Sequence, residues 1–178
     1  TGSGGAGGAG GASCGNGSIE QGGECDDAND AEGDGCMACV VECSGPMTFK
    51  DPETFHCYRL STQDLAWAGE RAVCQGYGPG YDLAAISSAS EYSTMAEVLP
   101  ILSAAGFVSA WIGGTDQRME GTFVWSNGEP WWSDLPLNFD DPNGTDDCTT
   151  LDTTGIVEDL GCATTGPAVC EGTPVSAQ

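Results

Sequence analysis

The densest chemistry in the sequence lies between Asn138 and Cys148, where Asp140, Asp141, Asp146 and Asp147 are interleaved with Pro142, Asn143, Gly144 and Thr145. A hard cation such as Ca2+ takes roughly six to eight oxygen ligands, and a loop of Asp and Asn side chains supplies them at short range. A second acidic pair, Glu158-Asp159, stands just ahead of Cys162, so a Cys148–Cys162 bridge would press that pair against the loop. Acids gathered in this way read as cation ligands and not as the acid and base of a glycoside hydrolase. Nucleophilic catalysis has no support either. His56 is the only histidine, reads as a surface residue beside Cys57, and has no serine or cysteine arranged with it. The expectation is a binding protein, not an enzyme. Asn143-Gly144-Thr145 matches a glycosylation acceptor, but a glycan there would block the loop, so the match reads as chance.

Composition narrows the partners. The 178 residues carry 27 acidic side chains against four basic ones, Lys50, Arg59, Arg71 and Arg118, for a net charge of −23. Such a chain repels phosphate backbones and anionic membranes, which sets aside nucleic-acid binding and polybasic membrane docking. It also repels itself when compact, and bound divalent cations would offset that repulsion. Ten cysteines are an even and heavy complement, best read as disulfides made in an oxidising compartment. A zinc site would want clustered Cys and His, and the single tight pair is Cys36-x-x-Cys39 in an acidic, Gly-rich stretch. No apolar run approaches the ~20 residues of a membrane span. The chain opens with Thr1-Gly2-Ser3, so an export signal is expected to have been removed from a precursor, leaving a secreted, extracellular or cell-surface protein.

Four segments follow from these patterns. Residues 1–13 hold only Gly, Ala, Ser and Thr and read as a linker or arm. Residues 14–43 are a cysteine-rich module with few apolar side chains, so its fold must rest on disulfides, ions or both. Pairing among Cys14, Cys25, Cys36 and Cys39 has three possibilities that spacing does not separate. Residues 44–171 are the main domain, and 172–178 a tail.

In the main domain, Thr62–Cys74 shows helical spacing at Leu65, Ala68, Ala72 and Val73, with a capping box at Ser61-x-x-Asp64. A second helix is expected from about Ser90 through Glu97, capped at Ser88-x-x-Glu91, with Pro100 disturbing or ending it. Short strands then follow in FVSAWIGG, GTFVWSNG, TTLD, GIVEDL and PAVCE, interrupted by the acidic loop. This order gives an α+β class: two helices, small antiparallel sheets and a long calcium-binding loop. Trp111 and Trp125 read as core. Trp131 and Trp132 follow Pro130 in a polar loop, and an exposed Trp132 could stack on a sugar face.

From Cys43 to Glu171 the chain resembles the C-type lectin-like domains. The likeness rests on Cys57-Tyr58, the helix-borne Cys74, Trp111-Ile-Gly-Gly114, Trp125-Ser-Asn-Gly128, Asp141-Pro142-Asn143, Asp147-Cys148, and Cys162 with Cys170-Glu171. The resemblance implies disulfides Cys74–Cys170 and Cys148–Cys162, with Cys43–Cys57 as the extra pair of longer members. It implies a main calcium site at Asp141, Asn143, Asp146, Glu158 and Asp159. An auxiliary site would use Asp116, Glu120, Asp146 and Asp147, with Gly144 offering only backbone where a side chain is expected. In that family two vicinal sugar hydroxyls complete the calcium shell. Asp141, Asn143, Asp146 and Glu158 are therefore the expected ligand contacts, with Trp132 beside them.

Two departures bear on recognition. Asp141 is one methylene shorter than the family's Glu, and Val157-Glu158-Asp159 replaces a Trp-Asn-Asp motif, exchanging an amide donor for a carboxylate. The exchange favours calcium and weakens sugar recognition; Asn143 leans toward mannose-type glycans. Residues 14–43 resemble short cysteine-rich repeats of secreted myxobacterial proteins, through Cys14-Gly-Asn-Gly, Glu24-Cys25-Asp26-Asp27, Asn29 and Gly33-Asp34-Gly35-Cys36. In that module Asp26, Asp27, Asn29 and Asp34 alternate as calcium ligands would. The expected protein is a calcium-dependent lectin or adhesin exported by a bacterium. The alternative is a structural subunit of an extracellular fibre or matrix, calcium-stabilised and self-associating through its Gly-rich arm.

Overall fold

The computed structural model describes residues 14–19, 21–29, 35–43, 45–139 and 144–173. The chain divides into two compact units, one formed by the residues before Gly45 and one spanning Gly45–Thr173.

The first unit is held by cross-links. Cys14 pairs with Cys39 and Cys25 with Cys36, which resolves the three possible connectivities. The two bridges flank a hairpin of β1 (Cys36–Met37) and β2 (Val40–Val41). Its two-residue turn places Ala38 and Cys39 at φ +52° and +62°, a left-handed geometry that favours Asn-Gly, so the disulfides hold a turn the side chains disfavour. Asp26 is buried, and its carboxylate accepts backbone N–H groups from Gly15, Asn16, Gly17 and Ala28 at 2.8–3.3 Å. These bonds, the one from Ala28 foremost, hold its carboxyl below the usual range against the effect of burial. Asp26 therefore serves the backbone of this module; Asp34 lies outside the described residues.

The second unit contains β3 (Thr48–Lys50), β4 (Cys57–Ala66), α1 (Trp67–Gln75), β5 (Tyr81–Leu83), α2 (Ala89–Ala104), β6 (Ser109–Thr115), β7 (Val124–Trp125), β8 (Leu137–Asn138), β9 (Cys148–Asp152), β10 (Val157–Leu160) and β11 (Thr165–Gly172). The strands join in the order β3-β4-β11-β6-β9-β10-β8, with β5 added to β11 and β7 to β6. Most pairs are antiparallel, as expected; β11–β6 and β10–β8 are parallel. The α+β class is as the sequence indicates.

The first helix begins later than its periodicity suggests. Residues 62–66 are strand, because β4 pairs with β11 from Cys57↔Gly172 to Ala66↔Thr165. The Ser61-x-x-Asp64 capping box is not formed; the N-cap is Ala66, without a side-chain cap. A run of interstrand hydrogen bonds outweighs a local capping preference. The start of α1 is fixed instead by tertiary bonds: Trp67 N–H donates to the Cys162 carbonyl, and Trp67 Nε1 to the Ile112 carbonyl at 2.8 Å. In return, Trp111 Nε1 donates to the Leu65 carbonyl at 3.2 Å.

The second helix is capped as expected, with Ser88 Oγ accepting from Glu91 N–H. It runs through Pro100 to Ala104. Proline there removes the bond to the Ala96 carbonyl, but Ala96 and Pro100 are both exposed, which leaves that carbonyl open to solvent. Met95, Val98 and Leu102 are fully buried on the opposite face and hold the helix on the sheet.

Trp111 and Trp125 are core residues, 1% and 2% exposed. Gly113 is required by close approach: a methyl carbon there would sit 2.9 Å from the Leu83 carbonyl oxygen and 3.0 Å from Ser126 Oγ. His56, expected at the surface, is drawn inward among carboxylates.

Asp51 ties the turn after β3 to α2. It is fully buried and accepts five hydrogen bonds, from Glu53 N, Thr54 N, Thr54 Oγ1, Ser90 Oγ and Thr94 Oγ1, at 2.8–3.1 Å. Burial works against its charge, but these donors, Thr54 first, bring its carboxyl below the ordinary value of 3.8. A lowered folded-state pKa gives stability that is present above the unfolded value and lost as pH falls through the folded one. Asp51→Ala is expected to cost about 2–4 kcal/mol in urea unfolding at pH 7. It should also flatten the loss of stability seen in the wild type below about pH 4.

Candidate functional site

The acidic residues singled out in the sequence lie on β6 and its following turn, on the loop entering β9, and on β10. Where β6 and β9 pair, the register shifts between Trp111↔Thr150 and Thr115↔Cys148, an irregularity spanning Gly113-Gly114. Beyond it the two chains stay together: Asp116 N–H donates to the Asp147 carbonyl at 3.2 Å. Asp116 is 3% exposed. Its Oδ2 accepts from Gly121 N–H at 2.7 Å, closing the turn that carries Glu120, while Oδ1 is buried with no hydrogen-bond partner among the described residues. Glu120 lies over Gly144, where a methyl carbon would be 3.1 Å from Glu120 Oε2. Gly144 holds φ +63°, so the residue that lacks the expected side chain also gives the chain a left-handed turn under that carboxylate. Asp116 and Asp147 are thus joined through their backbones, and Glu120 lies against the Gly144 backbone.

The second group centres on β10. Its register with β9, Glu158↔Thr150 and Asp159↔Thr149, sets both acids beside the strand that leaves the loop. A methyl carbon on Gly161, just past β10, would lie 3.4 Å from Asp146 Oδ1, so Asp146 reaches the end of the strand that carries Glu158 and Asp159. The Cys148–Cys162 disulfide ties these segments, and Cys74–Cys170 ties α1 to β11. Cys43 and Cys57 are also oxidised, and no free thiol remains.

On the other side, β8 pairs in parallel with β10, and Asn138 Nδ2 donates to Glu158 Oε1 at 3.0 Å. This amide contact has no local sequence signal, since it depends on a parallel pairing 20 residues apart. Asp141 and Asn143 lie outside the described residues.

Phe139 anchors the loop where it departs. Its ring is 4.3 Å from Phe123, and Trp131 stacks on Trp125 at 4.2 Å. Trp132 is half-buried against the core, 5.9 Å from Tyr92. The freely exposed indole face expected at Trp132 is therefore not present. Both tryptophans are drawn inward because aromatic partners surround them.

Carboxylates on segments pinned by a disulfide are the groups that a hard divalent cation would use here, and Asp116 Oδ1 is buried with no hydrogen bond among the described residues. The sequence profile of the Lectin C-type domain matches residues 63–172, which contain every one of these acids. The chain belongs to the C-type lectin family. Members bind carbohydrate, typically take up Ca2+, and are in general not enzymes.

Among curated relatives, Lectin BRA-3 of Megabalanus rosa is 33% identical over 103 residues, covering 55% of this chain and 59% of that one. A C-type lectin mannose-binding isoform of Oxyuranus scutellatus is 34% identical over 80 residues, 44% of this chain and 49% of that one. The lectin match thus spans between about half and three fifths of these relatives. Among solved structures, C-type lectin CEL-I from Cucumaria echinata superposes with a TM-score of 0.58 at 22% identity, covering 74% of this chain and 99% of that one, which establishes the fold. Oxidised cysteines and lectin relatives fit an extracellular protein, and no described helix is long and apolar enough to cross a membrane.

The Cys148–Cys162 bridge closes a separation of 14 residues that includes β9, β10 and both acids of the Glu158-Asp159 pair. Replacing both cysteines by Ala should cost the lectin domain about 3 kcal/mol in urea unfolding, from the loop entropy released in the unfolded chain.

Proposed function

We propose that this chain is a secreted or surface-displayed, calcium-dependent glycan-binding lectin, acting as a lectin or adhesin. In this reading Asp141, Asn143, Asp146, Glu158 and Asp159 hold the cation that a sugar reaches. Asp116, Glu120 and Asp147, together with Asp146, hold the auxiliary one. The supporting observation is the buried Oδ1 of Asp116, without a hydrogen bond among the described residues, on a residue whose N–H donates to the Asp147 carbonyl inside a matched lectin domain. Bound Ca2+ would supply open coordination positions for two vicinal hydroxyls.

The chain's own side chains orient the sugar. Asp141, Asn143, Asp146 and Glu158 accept or donate hydrogen bonds at the hydroxyls. The amide lost at Glu158 is partly replaced by Asn138, whose Nδ2 already contacts that carboxylate and carries a second N–H. Mannose-type glycans are the favoured ligand. The sequence has Asn, not Asp, after Pro142, as the family's mannose-type motif does, and the Oxyuranus relative is a mannose-binding isoform.

The fibre reading draws on residues 1–13, which lie outside the described residues, and on the donor-poor Glu158; the relatives do not favour it. Export by a bacterium gains nothing from relatives that are eukaryotic. The myxobacterial likeness of residues 14–43 rests on their spacing alone.

Calorimetric titration of Ca2+ into chelator-treated protein, followed by mannose, tests the proposal on wild type and Asp159→Ala. Wild type should give calcium heat and then saturable sugar heat that EDTA abolishes. Asp159→Ala should bind calcium at least about tenfold more weakly and give no sugar heat. Calcium heat without sugar heat in the wild type would overturn the lectin assignment, and no calcium heat would remove the site.

A further inference from the structure

The pairing of β4 with β11 carries an irregularity that the sugar and calcium sites do not use. The two strands pair from Cys57↔Gly172 to Ser61↔Ala168, and again at Leu65↔Gly166 and Ala66↔Thr165. Between these stretches Thr62, Gln63 and Asp64 stand opposite Pro167 alone, so β4 bulges outward. Proline has no N–H for the ladder, and a bulge is where a sheet accommodates that loss. All three bulge residues are exposed, and Leu65 after them is 38% exposed.

Glu70, in the first turn of α1, is fully buried and clasps both ends of this bulge. Its Oε1 accepts from Leu65 N–H at 3.3 Å at one end, and the carboxyl takes a second hydrogen bond from the Ser61 side chain at the other. Oε2 is buried with no hydrogen-bond partner among the described residues. Asp64, on the bulge, faces Glu70 with a charge of the same sign. The cations of the neighbouring elements are engaged elsewhere: Arg59 of β4 lies over the Tyr77 ring, and Arg71 of α1 makes two bonds to Asp82 of β5. β6 carries no charged side chain, and Glu171 of β11 is turned to His56. Burial, foremost, raises the Glu70 carboxyl above the ordinary value of 4.5; Asp64 adds to this, and the bonds from Ser61 and Leu65 offset part of it.

We propose that Glu70 is a proton-operated latch on the β4 bulge. As the neutral acid it holds residues 62–65 against the start of α1. As the carboxylate it lets them lift, so that water reaches its charge. A neutral carboxyl tolerates burial with one modest bond to each end of the bulge, whereas a buried carboxylate needs stronger donors or a cation. The bulge is the part that can yield, since its residues are exposed and the ladder is already broken there. The junction it covers matters to the core. The Leu65 carbonyl accepts from Trp111 Nε1, and Trp67 N–H donates to the Cys162 carbonyl. A raised folded-state value means that ionisation costs the fold free energy. That cost is full above the folded value and fades as pH falls toward the ordinary 4.5, so acid closes the latch and base opens it.

The test follows backbone amide exchange in the full chain by NMR, with Ca2+ in excess, and reads the Glu70 carboxyl titration directly. After correction for the base-catalysed intrinsic rate, protection of the Leu65 amide should fall by about tenfold or more between about pH 5.5 and about pH 8. The Ala84 amide, which donates to the Val169 carbonyl in the same sheet, should keep its protection. Glu70→Gln should hold Leu65 equally protected across this range. Asp64→Asn, at an exposed position, should move the transition to lower pH, which keeps the test valid should the Glu70 variant fold poorly. A Glu70 carboxyl that titrates at or below 4.5, Leu65 protection that does not change with pH, or the wild-type pH profile in Glu70→Gln would each overturn the proposal.

Discussion

Twenty-seven carboxylates and four cationic side chains share this chain, and its folded form has to put that negative charge somewhere. Exposed acids cost little. Buried ones need a partner, and the structure uses several kinds. Asp26 and Asp152 are wrapped by backbone N–H groups of their own turns. Asp51 collects hydroxyls as well as amides. Asp82 takes the Arg71 guanidinium by two bonds of 2.8 Å. Each answer is local and complete, and each fixes a turn or joins two elements.

Three buried carboxylates lack that completeness: Glu70, Glu91 and Asp116 each keep an oxygen without a hydrogen bond among the described residues. Glu70 is pushed above the ordinary carboxyl range by burial, and a carboxyl shifted that way is readily protonated. Glu91 goes the other way. Burial would raise it, but His56 and Ser87 bring it below the ordinary value, and His56 Nδ1 stands 3.2 Å from its Oε1 as an ion-pair partner. An ionised, buried, unmet oxygen is a costly arrangement unless a cation completes it. Asp116 keeps its unmet oxygen in a segment hydrogen-bonded to the loop that carries further acids, in a family that typically takes up calcium.

How much of this was legible follows from the range of each interaction. The lectin fold was readable because its markers are residues with few substitutes: paired cysteines, core tryptophans, and Gly113 where backbones touch. The acids of the loop were readable because they cluster within a few residues. The start of α1 was not, since Ser61 and Asp64 look like a cap until β11, a hundred residues on, claims them for a strand. Trp132 looked exposed because its neighbours are polar in sequence, although Tyr92 is beside it in space. His56 was the least legible. Its partner Glu171 lies 115 residues away, and nothing around His56 marks the contact. Glu171 looked like the end of a strand motif and Glu91 like a capping residue, and both do those jobs while also facing His56.

The two acidic clusters differ in what they would do to the domain. The loop acids are mostly half-exposed, held by a disulfide and by Asn138, with Phe139 fixing the loop where it departs. In the proposed reading a cation offsets the repulsion among these acids, and a sugar that completes the ion's shell draws on the same free energy. Sugar affinity in such a site reports how well the loop is held before the sugar arrives. The His56 cluster is set in the body of the fold between α2 and β11, where little has to move. In the proposed reading an ion in the loop acts on recognition, while the His56 cluster, an ion pair among three carboxylates, acts on the stability of the scaffold.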